Sequence, residues 1–249
     1  MSFLRTDFYI NTEFSIVYED KDIIVINKPA PLPVHSVGSY GEKNLLSILR
    51  MMPKFKNIEL KTPHRLDAET SGILVLAKTE DAAKSLSRQF SESKVEKIYK
   101  AIVFGSPPEI KGIISASLGY DESAPFALRK VVDRGETALT EYRLVSSSER
   151  YSIIELHPLT GRTHQLRVHC SFIGCPIVGD KLYIDPSLFL RYASGGIDDL
   201  ILERLKLPRL ALHAVSIKFF HPSLKKEVSY NAPLPEMLID FALKEGLYF

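Results

Sequence analysis

Three polar clusters in the sequence contain side chains that can act on a substrate, and each lies beside an apolar segment. The clusters are HRLD (64–67), EKIYKA (96–101) and LTGRTHQLRVH (159–169). Together they supply a carboxylate, an aromatic ring and several arginines. Such groups can bind or attack a polar substrate if the fold brings them to one place.

Asp67 is the first candidate for a catalytic group. It follows Leu66 and precedes Thr70-Ser71-Gly72 and an apolar run, so we expect it on a loop held by a buried strand. Loops on a rigid scaffold often carry catalytic residues. The alternative is that its carboxylate only stabilises a local turn, which is a common role of aspartate.

Arg167 is predicted to lie on a helix that begins near His164, because Leu166, Cys170 and Ile173 are spaced by four and three residues. On that helix Arg167 and His164 would share the face opposite the apolar stripe. We therefore expect Arg167 to point away from the core, where it could pair with a carboxylate and keep it ionised. The alternative is an ordinary surface arginine.

Other kinds of catalytic site have little support in the sequence. His164 and His169 are five residues apart, whereas two metal ligands on one helix face are four apart, and no HExxH occurs. GxxxxGK[ST], GxGxxG and GxSxG are also absent. The two cysteines, Cys170 and Cys175, are too few for a disulfide framework. We expect no metal, no cofactor and a reducing compartment.

The segments around the clusters predict strands that follow one another with few helices between them. Strands are predicted at 16–18, 23–26, 72–77, 97–104, 137–145 and 151–156, the last two as a hairpin, with a strand pair at 209–220. Helices are predicted at 44–52, from Thr79 to about 95, at 164–173 and at 235–245. This pattern favours an α+β fold with a mixed, mainly antiparallel sheet.

Composition is that of a globular protein of enzyme size. The chain has 249 residues, of which 45% are hydrophobic and 25% charged. The 32 basic and 30 acidic residues give a net charge of +2, so RNA binding would require a local basic cluster. No apolar run reaches the roughly 20 residues of a membrane span, and the first residues do not resemble a signal peptide. We expect a cytoplasmic protein.

Several motifs, in order, resemble those of the RNA pseudouridine synthases of the RluA type. They are NKPAPLPVH (27–35), HRLDAETSG (64–72), EKIYKA (96–101), LTGRTHQLRVH (159–169), GCPIVGDKLY (174–183) and RLALHAVSIKFFHP (209–222). The resemblance covers about residues 14–225, and HRLDxxTSG with TGRTHQLRVH in this order is highly specific.

The resemblance implies roles for individual residues. Asp67 matches the catalytic aspartate, Tyr99 the tyrosine that stacks on the target base, and Arg167 the arginine that pairs with the aspartate. Arg65 matches the arginine implicated in occupying the space left by the flipped nucleotide. We expect further substrate-binding residues in the same motifs: His64, Arg162 and Gln165.

The resemblance also implies the fold and the reaction. The family's sheet is mixed, mainly antiparallel and split into two halves with a central active-site cleft. The expected activity is isomerisation of specific uridines in ribosomal or transfer RNA to pseudouridine, by base flipping and without a cofactor. Many relatives carry an N-terminal RNA-binding domain. Here the resemblance begins within the first ~15 residues, so we expect residues 1–249 to form a single catalytic domain, acting as a monomer.

Two other functions remain open on the sequence alone. One is a non-catalytic RNA-binding protein with this fold, and the other is a metal-dependent hydrolase that uses the histidines. Basic residues that could contact RNA phosphates lie in two segments. They are Lys54, Lys56, Lys61, Arg129, Lys130 and Arg134.

Overall fold

The computed structural model of the protein describes residues 10–36, 43–124 and 128–249. The described chain divides into two compact units. The Asp67 unit comprises the described residues up to Lys97 together with His213–Pro233. The Arg167 unit comprises Ile98–Leu212, without the masked stretch at 125–127, and Leu234–Phe249.

The strands and helices of the described residues are as follows. The strands are β1 (Ser15–Glu19), β2 (Ile23–Lys28), β3 (Ser71–Ala77), β4 (Glu96–Phe104), β5 (Lys111–Ser115), β6 (Leu118–Tyr120), β7 (Arg129–Val131), β8 (Leu139–Ser147), β9 (Tyr151–Pro158), β10 (Leu212–Phe220) and β11 (Glu227–Asn231). The helices are α1 (Leu45–Met51), α2 (Glu80–Ser91), α3 (Gln165–Phe172), α4 (Pro186–Gly195), α5 (Asp199–Leu205) and α6 (Glu236–Lys244).

The Asp67 unit is built on β2 and β3, which form an antiparallel pair with Ile23 opposite Ala77 and Lys28 opposite Gly72. Residues 23–26 of β2 and 73–77 of β3 are continuous apolar runs, and every residue of β3 is buried. β1 extends the sheet from β2 as an antiparallel neighbour. On the other side of β3, β10 runs parallel to it, and β11 pairs antiparallel with β10. Buried strands of this kind give the loop before β3 a rigid support.

Helices of the Asp67 unit begin where polar caps predict. The Asn44 side chain accepts a hydrogen bond from the backbone of Ser47 at the start of α1, and Thr79 does the same for Ala82 at the start of α2. α2 ends at Ser91, four residues earlier than its sequence predicts. The chain reverses there because Ser93 adopts a left-handed conformation with φ 55°.

The Arg167 unit contains the antiparallel strands β4, β9, β8 and β5. The predicted β8–β9 hairpin is confirmed. A core of buried apolar side chains from these strands also includes Leu166 and Cys170 of α3 and Leu238 of α6. Strands β6 and β7 form a separate two-stranded sheet, whose Leu118 belongs to a small second cluster with Val168 of α3.

The predicted α+β class with mainly antiparallel pairing is confirmed, with three corrections. The predicted strand pair at 209–220 is one strand, β10, whose antiparallel partner is β11. Strands β5, β6, β7 and β11 and helices α4 and α5 were not predicted. Arg167 does not point to solvent, because α3 packs between two apolar clusters and all of positions 165–170 are buried. None of the described helices has the length and apolar character that crossing a bilayer requires.

Candidate active-site residues

Asp67 opens a four-residue turn that leads into β3. The backbone N–H of Thr70 donates to the Asp67 carbonyl over 3.1 Å, which closes the turn. Leu66 before it and Thr70 after it are both buried, whereas Asp67 is half-buried. The carboxyl group therefore lies on a loop held between buried neighbours, as its sequence predicts.

Lys28 anchors this turn from the end of β2. Its side chain is wholly buried, and its Nζ donates to the carbonyls of Leu32, Pro29 and Ala68 at 2.7, 2.9 and 3.2 Å. The Leu32 N–H also donates to the Ala68 carbonyl over 2.8 Å. The carbonyl of Ala68, the residue after Asp67, thus receives two hydrogen bonds from the NKPAPLPVH segment. Sequence reasoning missed this role, although a lysine among apolar strand residues is an unusual placement that needs several acceptors.

Gly72 anchors the other end of the turn. Its φ is +112°, and a Cβ added there would lie 2.2 Å from the carbonyl oxygen of Ala214 in β10. Only glycine permits this backbone approach. Beside it, the Ser71 hydroxyl lies 2.7 Å from Nδ1 of the buried His213. The β3–β10 contact therefore fixes where the Asp67 turn ends.

His64 packs inside the Asp67 unit. Its Nε2 accepts a hydrogen bond from the Val75 N–H over 3.0 Å, and its ring stacks on Phe90 of α2 at 4.4 Å. Burial, with a smaller contribution from the charge of Lys97, lowers the pKa of His64 to about 3. Burial also lowers the pKa of Lys97 to about 8. These contacts use one ring nitrogen and one ring face of His64 for internal structure, and its part in substrate binding stays a prediction.

Arg65 differs from its neighbours because its side chain is exposed. Its Nη1 lies 3.5 Å from Nε2 of His35, the last residue of the NKPAPLPVH motif. Burial, and then the charge of Arg65, lower the pKa of His35, so this imidazole is neutral near neutral pH. The guanidinium of Arg65 is thus a cationic group on the surface, two residues from Asp67.

Tyr99 lies on β4 in the Arg167 unit, opposite Leu156 of β9. Its ring is half-buried and packs against the core of this unit. A ring on a paired strand has a fixed position, which suits a stacking surface better than a ring on a mobile loop does.

Arg167 makes a bidentate ion pair with Asp180. Its Nε donates to Asp180 Oδ2 and its Nη2 to Asp180 Oδ1, each over 2.8 Å. Oδ1 also accepts from the backbone N–H groups of Leu182 and Tyr183. Burial alone would raise the pKa of Asp180, but the charge and hydrogen bonds of Arg167 and these two N–H groups outweigh it and lower that pKa. The pairing of Arg167 with Asp67 stays a prediction.

Tyr183 completes the surroundings of Arg167. The Arg167 guanidinium lies 5.0 Å above the Tyr183 ring. The Tyr183 hydroxyl lies 2.8 Å from His164 Nδ1 and accepts from the backbone N–H of Arg129. His164 precedes α3 in a left-handed conformation, φ 57°. Asp180 and Tyr183 lie in the GDKLY segment, and sequence reasoning named neither as functional.

Gln165 makes hydrogen bonds within the protein, and its predicted contact with substrate stays a prediction. Its Nε2 donates to the Leu139 carbonyl and the Thr140 hydroxyl, at 2.8 and 3.0 Å. Its Oε1 accepts from the Thr160 hydroxyl and the Arg162 N–H, at 2.7 and 3.0 Å. These bonds use both amide hydrogens and both oxygen lone pairs. The buried amide therefore joins the start of β8 to the TGRTH loop.

Basic residues of the predicted phosphate surface are partly used within the chain. Arg162 is partly exposed and contacts the Thr137 carbonyl and Glu136, so its role in RNA binding stays a prediction. Arg129 is buried, ion-paired with the same Glu136 and stacked on Tyr120, which corrects its assignment to the surface. Lys54, Lys61 and Lys130 each form an ion pair with a nearby carboxylate.

No group of three or more His, Cys, Asp and Glu side chains that could hold a metal ion occurs among the described residues. The two cysteines are free and buried, and burial raises the pKa of both thiols. Cys170 therefore belongs to the core of the Arg167 unit, as its spacing predicts.

Known proteins match both the sequence and the fold. The model of a family described as RNA pseudouridylate synthase matches residues 22–172. Ribosomal large subunit pseudouridine synthase C of Buchnera aphidicola subsp. Baizongia pistaciae is 35% identical over 234 residues, covering 90% of this chain and 70% of the relative. Ribosomal large subunit pseudouridine synthase D of Pseudomonas aeruginosa is 37% identical over 226 residues, covering 90% and 69%.

Two solved human structures have a similar fold. Human RNA Pseudouridylate Synthase Domain Containing 4 has a TM-score of 0.71 and 31% identity, covering 94% of each chain. Human RNA Pseudouridylate Synthase Domain Containing 1 has a TM-score of 0.71 and 29% identity, covering 90% of this chain and 84% of its own. The matched segment 22–172 contains Asp67, Tyr99 and Arg167. The chain belongs to the RNA pseudouridylate synthase family, and its predicted class, an isomerase that modifies RNA, is confirmed.

Proposed function

We propose that this protein converts uridine to pseudouridine in the RNA of the large ribosomal subunit, with Asp67 as the catalytic carboxylate. The observation that carries the proposal is the family's HRLDxxTSG motif folded into a turn that Lys28 and Gly72 hold in place. Relatives C and D are named for the large ribosomal subunit, which favours this RNA over transfer RNA as the substrate.

The reaction needs no external group or electron. The bond from ribose C1′ to uracil N1 breaks, the base rotates, and C1′ bonds to C5. The hydrogen on C5 leaves as a proton, and N1 gains one. Because substrate and product have the same atoms, we propose catalysis without cofactor or metal.

Asp67 is proposed to act as an ionised nucleophile or base on the target nucleotide. A carboxylate on the protein cannot reach a base that is stacked in a helix, so the uridine must leave the stack first. The exposed Arg65, two residues from Asp67, is proposed to occupy the space that the flipped nucleotide leaves. Its cationic side chain can also neutralise backbone phosphates there.

Tyr99 is proposed to stack on the flipped uracil, since proteins commonly hold splayed RNA bases on aromatic rings. Arg167 is proposed to pair with Asp67, which would keep the carboxylate charged and oriented. Both side chains are held by the core of the Arg167 unit, so neither has to be ordered when RNA binds.

Both units are proposed to belong to one catalytic domain. The family match runs from β2 in the Asp67 unit to α3 in the Arg167 unit. We further propose that the protein acts as a monomer in the cytoplasm. Sedimentation of the purified protein and cell fractionation test these two points.

The experiment uses RNA from cells that lack the protein, labelled with tritium at C5 of uridine and separated into ribosomal and transfer fractions. Because C5 loses its hydrogen when the new bond forms, each pseudouridine releases one tritium to water. The purified protein is expected to release tritium from large-subunit ribosomal RNA. Release from transfer RNA alone would refute the proposed substrate, and no release from any fraction would refute the proposed activity.

A further inference from the structure

We propose that Asp180 and Tyr183 are positioning residues that set the orientation of Arg167 for its work in the active site. The inference rests on the function proposed above, in which Arg167 pairs with Asp67. It names two residues outside the matched family segment, which ends at residue 172.

The first observation concerns which edge of the Arg167 guanidinium binds the Asp180 carboxylate. Its carboxylate takes the edge formed by Nε and Nη2, with two bonds of 2.8 Å. A guanidinium has five N–H donors in a rigid plane, so the terminal edge with Nη1 carries the remaining three. Asp180 therefore sets the direction of the edge that can meet a second carboxylate or a phosphate.

The second observation is that Asp180 itself cannot turn. Its side chain has no exposed surface, and Oδ1 accepts from the backbone N–H groups of Leu182 and Tyr183 at 2.9 and 3.1 Å. Gly179 before it has φ +79°, and a Cβ there would lie 1.8 Å from the Arg209 carbonyl. Backbone contacts thus fix the carboxylate before it binds the arginine.

The third observation is that Tyr183 fixes the plane of the guanidinium. The ring lies 5.0 Å from the Arg167 Cζ, within the range of a cation–π contact. Bonds of its hydroxyl to His164 and to the Arg129 N–H hold the ring in place. A free arginine side chain samples many rotamers, so holding the guanidinium at one edge and one face orients it before RNA binds.

The test is a double-mutant cycle with Asp180→Asn and Arg167→Met in the full-length protein. The readout is the single-turnover rate of tritium release at saturating enzyme, together with the dissociation constant for the RNA. Asp180→Asn is expected to slow the rate about 10- to 100-fold, the range of a small misplacement of a catalytic group. RNA affinity should stay close to that of the wild type, which separates positioning from loss of fold.

The double variant distinguishes positioning from an independent structural effect. If Asp180 acts through Arg167, the double variant should turn over at the rate of Arg167→Met alone. Asp198→Asn changes another paired carboxylate of the same unit, next to Arg191, and should keep the wild-type rate. Equal slowing by Asp180→Asn with and without Arg167 would overturn the inference, and so would a wild-type rate for Asp180→Asn.

Variants of Tyr183 test the inference if Asp180→Asn folds poorly because the buried arginine has lost its partner. Tyr183→Leu removes the ring, whereas Tyr183→Phe removes only the hydroxyl. The leucine variant should therefore release tritium more slowly than the phenylalanine variant, and roughly three- to thirtyfold more slowly than the wild type. A wild-type rate in Tyr183→Leu would contradict the role of the ring. A wild-type protein that releases no tritium would instead refute the proposed function, and the inference with it.

Discussion

The pH dependence of stability provides a sharp test of the packing around the HRLD motif, because His64 lies three residues before Asp67. In the folded protein its ring accepts a hydrogen bond from Val75, stacks on Phe90 and lies near the charge of Lys97. Protonation would remove the acceptor and place a charge against the Phe90 ring and near Lys97. We therefore expect protonation of this residue to weaken the fold in acid, before the carboxylates titrate.

The magnitude follows from the two pKa values of His64, which are 6.5 as the ordinary value and about 3 in the fold. Between them the unfolded chain binds more protons than the folded chain, so the stability contributed by neutral His64 rises with pH. That contribution is fully present above 6.5 and is lost as the pH falls towards 3. From about pH 7 to about pH 5 the loss is about 2 kcal/mol, at about 1.4 kcal/mol for each pH unit below the ordinary value.

The assay is urea unfolding followed by circular dichroism near pH 7 and near pH 5, for the wild type and for His64→Gln. Glutamine supplies a neutral acceptor for the Val75 N–H and does not titrate in this range. Burial also lowers the pKa values of His35 and His169, so only the difference between the two proteins isolates His64. The wild type should lose about 2 kcal/mol more than the variant between the two pH values.

Equal pH dependence of the two proteins would refute this reasoning. A direct check is the titration of the His64 ring by NMR. A midpoint near the ordinary 6.5 would show that the ring is not buried as described. A ring that stays neutral to pH values well below 5 would agree with the linkage argument.

Three substitutions test the other anchors of the candidate site. Gly72→Ala should lower the free energy of unfolding in urea by at least about 2 kcal/mol, because the backbone has φ +112° and the new Cβ would overlap the Ala214 carbonyl. Gly195→Ala is the control. It has open space around it and should be nearly neutral. Gln165→Leu should lower the free energy of unfolding by about 2–4 kcal/mol, since it leaves buried partners at the start of β8 without a hydrogen bond. A decrease below about 0.5 kcal/mol would contradict the described hydrogen bonds. Lys28→Met should lower the free energy of unfolding by about 1–3 kcal/mol and also slow tritium release, because the Ala68 carbonyl loses a donor. A variant with wild-type stability and rate would show that this lysine does not hold the Asp67 turn.

Local patterns predicted the elements whose information lies within a short stretch of sequence. The buried strand after Thr70, the β8–β9 hairpin and the capped start of α2 at Thr79 follow from apolar runs, alternation and a cap residue. The end of α2 was harder to predict. The residue that follows the helix in a left-handed conformation is Ser93, and not the glycine that usually marks such an end.

Tertiary contacts bury a second face of α3, which helical periodicity alone could not predict. The spacing of Leu166 and Cys170 correctly identified one buried face of α3, and it placed Arg167 on the opposite side. That side is buried as well, because β6 and the GDKLY segment cover it. Strands of three residues have too little pattern for sequence analysis to recognise, so the cover on this face could not be predicted from spacing.

The candidate site was predicted by its motifs more than by residue chemistry. Both the motif and the residue pattern identified Asp67 on a supported loop. Lys28 and Asp180 act through contacts with residues distant in sequence, which local patterns do not predict. One rule could have pointed to Asp180. A buried arginine needs an acidic partner, and Asp180 follows Gly179, whose left-handed backbone beside the Arg209 carbonyl requires glycine.

Asp67→Asn tests the central claim most directly, in the tritium-release assay with large-subunit ribosomal RNA. The substitution keeps the shape of the side chain and removes its charge, so the rate should fall at least about a thousandfold, as for the loss of a catalytic nucleophile. RNA affinity and thermal stability should remain close to those of the wild type. Glu69→Gln, the same chemical change in the same turn, should keep about the wild-type rate. Wild-type turnover by Asp67→Asn would contradict the account.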